Sequence, residues 1–221
     1  FVSRDADVAV IHLDADKSKM ISVDIQLERP ECVEYKTDDE AIVMFGQLKD
    51  GSNGDEGMKY LSKLTVDNEG GNVDFTNNKI IVRDADKLTL IFSSSTNYKN
   101  ENYLAFVDSL MNDAKSYSYK YLKRKHIESY QELFNRVELD LGEGITDNHS
   151  IDDRLYAFQE EDDPQLAALY FHYGRYLFIS STRENLLPPN LQGLWANTIQ
   201  TPWNGDYHLN INVQMNHWLA E

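Results

Sequence analysis

The chain has 221 residues, with 21 Lys and Arg against 37 Asp and Glu and a formal net charge of −16, a balance that repels phosphate backbones and argues against a nucleic-acid partner. Hydrophobic residues make up 41% and aromatic residues 11%, enough apolar material for a packed core, which excludes wholesale disorder. No apolar run approaches the roughly 18 residues of a membrane span, since the longest, 166–180, is broken by His172 and Arg175, and the single cysteine, Cys32, can build neither an internal disulfide nor a thiolate-rich metal site.

From Asp7 to about Tyr98 the pattern predicts strands. Val8 to Leu13, Met20 to Leu27 and Ala41 to Phe45 come first, then Met58 to Val66, Lys79 to Val82 and Lys87 to Phe92. The turn signals Asp50-Gly51, Asn53-Gly54 and Gly70-Gly71 fall between these runs, as an antiparallel sandwich requires. The periodicity changes after Asn100: Tyr103, Val107, Leu110, Ala114, Tyr117 and Tyr121 recur at three- and four-residue steps, and Ile127, Tyr130 and Phe134 continue them. These residues predict helices that join two domains. Residues 140–152, with Gly142 and Gly144, read as a loop.

Asp163-Pro164 is a helix start, Asp as N-cap and Pro at the first helical position. The helix that follows, 165–180, carries Leu166, Leu169, Tyr170, Tyr173 and Leu177 on one stripe and Phe171 and Phe178 on another, so burial on several sides is expected. The acidic cluster Glu160-Glu161-Asp162-Asp163 reads as a solvated turn with helix-start charges. The chain begins at Phe1 without a signal-peptide pattern and stops at Glu221 without helix-ending residues. It therefore reads as an internal piece of a longer protein.

Between Asn190 and Trp218 lie all three Trp of the chain, Trp195, Trp203 and Trp218, together with many Asn and Gln and with Tyr207, His208 and His217. Sugars present apolar C–H faces and many hydroxyls. A sugar pocket therefore wants flat aromatic platforms and amides that both donate and accept hydrogen bonds. The bland alternative is that the Trp residues pack a core and the amides cap irregular backbone. In His208-Leu209-Asn210-Ile211-Asn212, an extended backbone would aim His208, Asn210 and Asn212 to one side while Leu209 and Ile211 anchor the other. A helical backbone would leave Asn212 one turn from His208 and let Asn210 diverge. His12, His126, His149, His172 and His217 show no metal-ligand spacing, and neither a phosphate loop nor a hydrolase elbow is present.

The segments Leu187-Pro188-Pro189-Asn190-Leu191-Gln192-Gly193-Leu194-Trp195, Thr201-Pro202-Trp203 and Tyr207 through Glu221 together resemble glycoside hydrolase family 95, the inverting α-L-fucosidases. The resemblance extends back through residues 166–181, 126–142, Gly57-Met58 and Asn68-Glu69-Gly70-Gly71, so it covers nearly the whole chain. It implies the C-terminal part of an antiparallel β super-sandwich over 1–100, a helical linker over 101–150, and the first helices of an (α/α)6 barrel over 151–221.

It further implies an exo-acting, extracytoplasmic enzyme, periplasmic or secreted, that inverts configuration on terminal α-L-fucosyl residues of glycans without a cofactor. Asn210 and Asn212 match the family pair that holds the attacking water, and His208 matches a sugar-contacting position. His there accompanies fucose, whereas Thr accompanies L-galactose. With Trp203 and Trp195 these form the expected substrate-binding set. The family's water-polarising Asp and its acidic Glu match nothing up to Glu221, so this piece alone is expected to be inactive. Two rival readings are an L-galactosidase variant of the same family and a non-catalytic carbohydrate-binding module built on the β half.

Overall fold

The computed structural model describes residues 1–37, 40–49, 56–76, 78–144, 149–184 and 186–220. They form two compact units, Phe1–Ser129 and Tyr130–Glu221. The first contains eight strands: β1 (Ala9–Asp14), β2 (Ile21–Gln26), β3 (Glu34–Thr37), β4 (Ala41–Lys49), β5 (Glu56–Glu69), β6 (Asn72–Thr76), β7 (Lys79–Ala85) and β8 (Lys87–Thr96). They make a five-stranded antiparallel sheet in the order β1-β8-β5-β4-β3 and a three-stranded one in the order β2-β7-β6.

The larger sheet buries both faces. Ile42, Leu64, Leu88 and Leu90 meet Ile80, Val82 and Ala85 of the smaller sheet, while Val8, Val10, Leu61 and Ile91 meet Val107, Met111, Ala114 and Leu122 of two helices, α1 (Tyr103–Lys115) and α2 (Tyr119–Phe134). Burial on both sides explains why the inner strand β8 buries four consecutive residues, Leu88 to Ile91, rather than alternating. Gly70 and Gly71 carry the chain from β5 of the larger sheet to β6 of the smaller one, both with positive φ, and a Cβ on Gly71 would stand 2.2 Å from the Arg83 carbonyl oxygen, so the tight crossing needs glycine. The expected turns at Asp50-Gly51 and Asn53-Gly54 lie outside the described residues.

The second unit holds the end of α2, then α3 (Ile151–Ala157), α4 (Pro164–Ser181), a 3-10 turn (Pro202–Gly205) and the short helix α5 (Asn212–Asn216). The predicted start of α4 is found: Asp163 accepts from the Leu166 amide at 3.0 Å and Pro164 opens the helix. Asp163 is not the solvated charge expected of the acidic cluster. It is 1% exposed and held by Arg154 through two hydrogen bonds of 2.8 and 3.0 Å, whereas Glu160, Glu161 and Asp162 are exposed. Pairing with a guanidinium fork is what makes such burial tolerable. Gly144 lies so close that a Cβ there would meet the Asp163 carboxylate at 2.4 Å.

Helix α4 is also less enclosed than its sequence suggests. Leu166, Ala168, Arg175 and Ile179 are buried, but Leu169, Tyr170 and Tyr173 are exposed, Tyr170 at 79%. Within its unit the described neighbours cover one side only. Arg175 turns inward to donate to the carbonyls of Phe134 at 2.9 Å and Val137 at 3.2 Å, its guanidinium over the Phe134 ring. It thereby satisfies acceptors that the end of α2 leaves open.

Candidate functional site

The segment from Asn190 to Ala220 is assembled around Asn190. Its backbone exchanges two hydrogen bonds with Gly193, at 3.3 and 2.9 Å, and its Oδ1 accepts from the Gln192 amide at 2.8 Å. This is the self-bonding that makes Asn a turn residue. The Asn190 carbonyl accepts from Asn216 Nδ2 at 3.2 Å, which ties α5 to the turn, and the Leu191 amide donates to the Asp206 carbonyl at 3.3 Å. Gly193, at φ 67°, could not carry a side chain, because a Cβ would stand 2.6 Å from the Trp195 ring.

Helix α5 in turn lies against α4. The His217 ring meets Phe178 edge-on at 5.0 Å while its Nδ1 donates to the Val213 carbonyl at 2.7 Å, and the Leu219 side chain reaches the space beside Gly174. Gln214 Nε2 donates to the Leu209 carbonyl at 2.7 Å. Several amides of this segment therefore cap irregular backbone, as the bland reading anticipates.

Asn210 and Asn212 are placed differently. The backbone takes the helical alternative rather than the extended one: residues 209–211 form a turn, and Asn212 is the first residue of α5. Leu209 and Ile211 do not anchor the segment from below; both are exposed, Leu209 at 73%. A turn followed at once by a helix cannot sort neighbours onto two opposite faces as a strand does. Asn210 is exposed and Asn212 half-buried. Among the described residues neither side-chain amide is engaged in a hydrogen bond, in contrast to Asn190 and Asn216.

His208 is half-buried, and its Nε2 stands 3.9 Å from Asp206 Oδ2, within ion-pair reach once the imidazole is protonated and too far for a hydrogen bond. Trp195 and Trp203 are both exposed, Trp203 at 71%, so their rings are open to a ligand rather than committed to a core.

Backbone conformation adds a feature that side-chain patterns did not reveal. Trp203, Asn204 and His208 all adopt left-handed φ, at 48°, 55° and 46°. A bulky residue there is a true outlier, and such strain, about 1–3 kcal/mol per residue, concentrates where a loop must present side chains. Asn190 and Asp206 were the other contributors the sequence left unassigned. The Asn-x-x-Gly spacing of residues 190–193 was the available signal for the first. Chemically, the two free amides can donate to and accept from a water or a sugar hydroxyl, but neither can take a proton at neutral pH. Asp206 is the carboxylate nearest His208.

A β unit is followed by helices and a strained, amide- and aromatic-rich segment, and the two parts match two glycoside hydrolase domains. Residues 118–221 match the glycosyl hydrolase family 95 catalytic domain, and residues 1–101 match the glycosyl hydrolase family 65 N-terminal domain. The chain is 38% identical over 185 residues to the probable alpha-fucosidase A of Aspergillus niger, covering 75% of the chain and 23% of that protein. It is 38% identical over 181 residues to alpha-L-fucosidase 2 of Arabidopsis thaliana, covering 74% and 21%. Residues 118–221 thus belong to the catalytic domain of glycoside hydrolase family 95. The chain spans less than a quarter of the length of these two relatives.

Proposed function

We propose that the chain is part of an inverting exo-α-L-fucosidase that removes terminal fucose from glycans outside the cytoplasm. In this reading residues 1–100 contribute to the β super-sandwich, 101–150 link, and 151–221 open the (α/α)6 barrel. Asn210 and Asn212 position the attacking water, while His208, Trp203 and Trp195 hold the sugar. The observation that carries it is the match of residues 118–221 to the family 95 catalytic domain, on a segment that carries both the two unengaged amides and the exposed indoles of Trp195 and Trp203.

The chemistry follows from what an amide lacks. Inversion requires a water on the face of the sugar opposite the general acid, and an ordinary inverting site activates it with a carboxylate. Carboxamides can fix that water in line with the anomeric carbon but leave the proton to a basic group. A carboxylate outside residues 1–221 must polarise the pair, and a second must protonate the leaving oxygen.

The full-length parent protein is the material for the test. Asn210→Asp and Asn212→Ala should each lower turnover on a fucosylated oligosaccharide by about 100-fold or more, the scale of misplacing a reacting group. His208→Thr should instead shift the ratio of fucosyl to L-galactosyl hydrolysis. Proton NMR of the first-formed sugar should show the β-anomer. Equal fucoside activity in all three variants removes the site assignment, and fucose release by the 221-residue chain alone would reassign the catalytic roles.

A further inference from the structure

A cavity of about 380 Å³ lies wholly in the first unit, where the turn before β1 meets the corner between α1 and α2. This is the size range of small-ligand sites. One wall is aromatic: Tyr117 and Tyr121 stack with centroids 4.5 Å apart and planes 16° from parallel, and the Arg124 guanidinium sits 5.3 Å over the Tyr121 ring. Tyr117 is 47% exposed, so the outward face of a ring already fixed by its neighbour is open.

The opposite side is polar. Asp5 and Asp113 both line the cavity, both are exposed, and among the described residues neither carboxylate has a hydrogen-bond or ion-pair partner. The turn bearing Asp5 is itself fixed by the Ala6 amide donating to Ser3 Oγ at 3.2 Å, with Ser3 only 2% exposed. Lys125 contributes an ammonium at the rim, tied to Glu128 at 3.1 Å. Another cavity of this unit, between Glu40 and Lys115, differs. Its two cations are each taken by a carboxylate, Lys63 by Asp108 and Lys115 by Glu40, and it has no aromatic wall.

We propose that the Tyr117–Tyr121 groove is a secondary carbohydrate-binding site for a neutral pyranose unit of a glycan, separate from the residues around Asn210. The apolar C–H face of a pyranose stacks on Tyr117, whose rigid placement limits the entropy lost on binding. Asp5 and Asp113 accept from ring hydroxyls, and the Tyr hydroxyls and Lys125 donate. The same carboxylates and ring faces could receive a cationic side chain. The choice of a sugar rests on the glycosidase reading above, and on a rim that supplies donors as well as acceptors.

Saturation-transfer NMR and calorimetric titration of the 221-residue chain with L-fucose and with lactose test this directly. Binding of at least one sugar is expected, weakened about tenfold by Tyr117→Ala and at least severalfold by Asp113→Asn, with unchanged circular dichroism. Both positions are exposed, and the Asn substitution keeps the shape of the side chain. Asn210→Ala should leave this binding intact. The groove proposal is overturned if neither sugar binds, if Tyr117→Ala and Asp113→Asn bind as the parent chain does, or if only an arginine-rich peptide binds and Tyr117→Ala abolishes it. Sugar binding lost in Asn210→Ala but kept in Tyr117→Ala would likewise overturn it while leaving the Asn210 site standing.

Discussion

Asp163 does three things from one buried position: it caps α4, receives both arms of Arg154, and fills the space beside Gly144 that any side chain would contest. Asp163→Ala removes the cap, about 1 kcal/mol by itself, and also strands the guanidinium, so a larger total loss is expected. Asp163→Asn keeps an oxygen for the Leu166 amide and should fall between the two. Urea midpoints in the order parent, Asn, Ala check this, and equal midpoints for Asn and Ala would mean the cap contributes nothing. His126 makes the opposite case of a group kept neutral. Its Nδ1 is buried with no hydrogen-bond partner among the described residues, and burial, with the Phe1 ammonium and Arg4 adding, holds its pKa below the usual 6.5. The unfolded chain therefore takes up the proton first. Stability is complete above pH 6.5 and declines as the pH falls from there through the lowered folded-state value. The thermal midpoint of the parent chain should drop between pH 7 and pH 5.5, and that slope should flatten in His126→Leu.

Among the elements, α4 carries a glycine whose role can be separated into two effects. Gly174 lies in the middle of the helix, where Ala is favoured by roughly 0.5–1 kcal/mol. An added Cβ would stand 2.9 Å from Leu219 Cδ1, the movable end of a side chain rather than backbone. Gly174→Ala is thus expected to raise the melting temperature while displacing Leu219, and Gly174→Ala with Leu219→Ala should be no less stable than Leu219→Ala alone. A lower melting temperature for Gly174→Ala would show that the seating of Leu219 outweighs helix propensity. Elements with a strong period or a capping pair were readable from sequence: β5, β8, α1 and the Asp163-Pro164 start of α4 all lie where the pattern puts them. Strands β3 and β6 were not, because Glu34–Thr37 and Asn72–Thr76 are short edge strands defined mainly by pairing with β4 and β7. Helix α3 was hidden as well, although Ser150 accepts from the Asp153 amide at 3.2 Å and donates to its carboxylate at 2.7 Å. That bond lowers the Asp153 pKa. The S-x-x-D signature was present, but the helix it starts is only seven residues long.

Across the molecule, the candidate site was legible as composition and not as geometry. Trp203 adopts a left-handed backbone that its propensity would not assign, whereas Asn204 and His208, which share that region, are types that tolerate it. The distribution of apolar surface is a similar outcome of context. In the second unit Leu169, Tyr170, Tyr173, Tyr176 and Trp218 are exposed together, while the chain as a whole carries a net charge of −16. These two properties oppose each other: like charge keeps copies apart over a distance set by ionic strength, about 10 Å at 0.1 M salt and about 3 Å at 1 M, whereas apolar attraction is not screened. Raising sodium chloride from about 0.05 M to 1 M should therefore shift the 221-residue chain from monomer toward larger species in sedimentation velocity. Tyr170→Lys with Tyr173→Glu should suppress the shift by breaking the aromatic stripe without changing net charge. A parent chain that stays monomeric at 1 M salt would mean that these side chains, exposed one by one, do not act as a continuous apolar face.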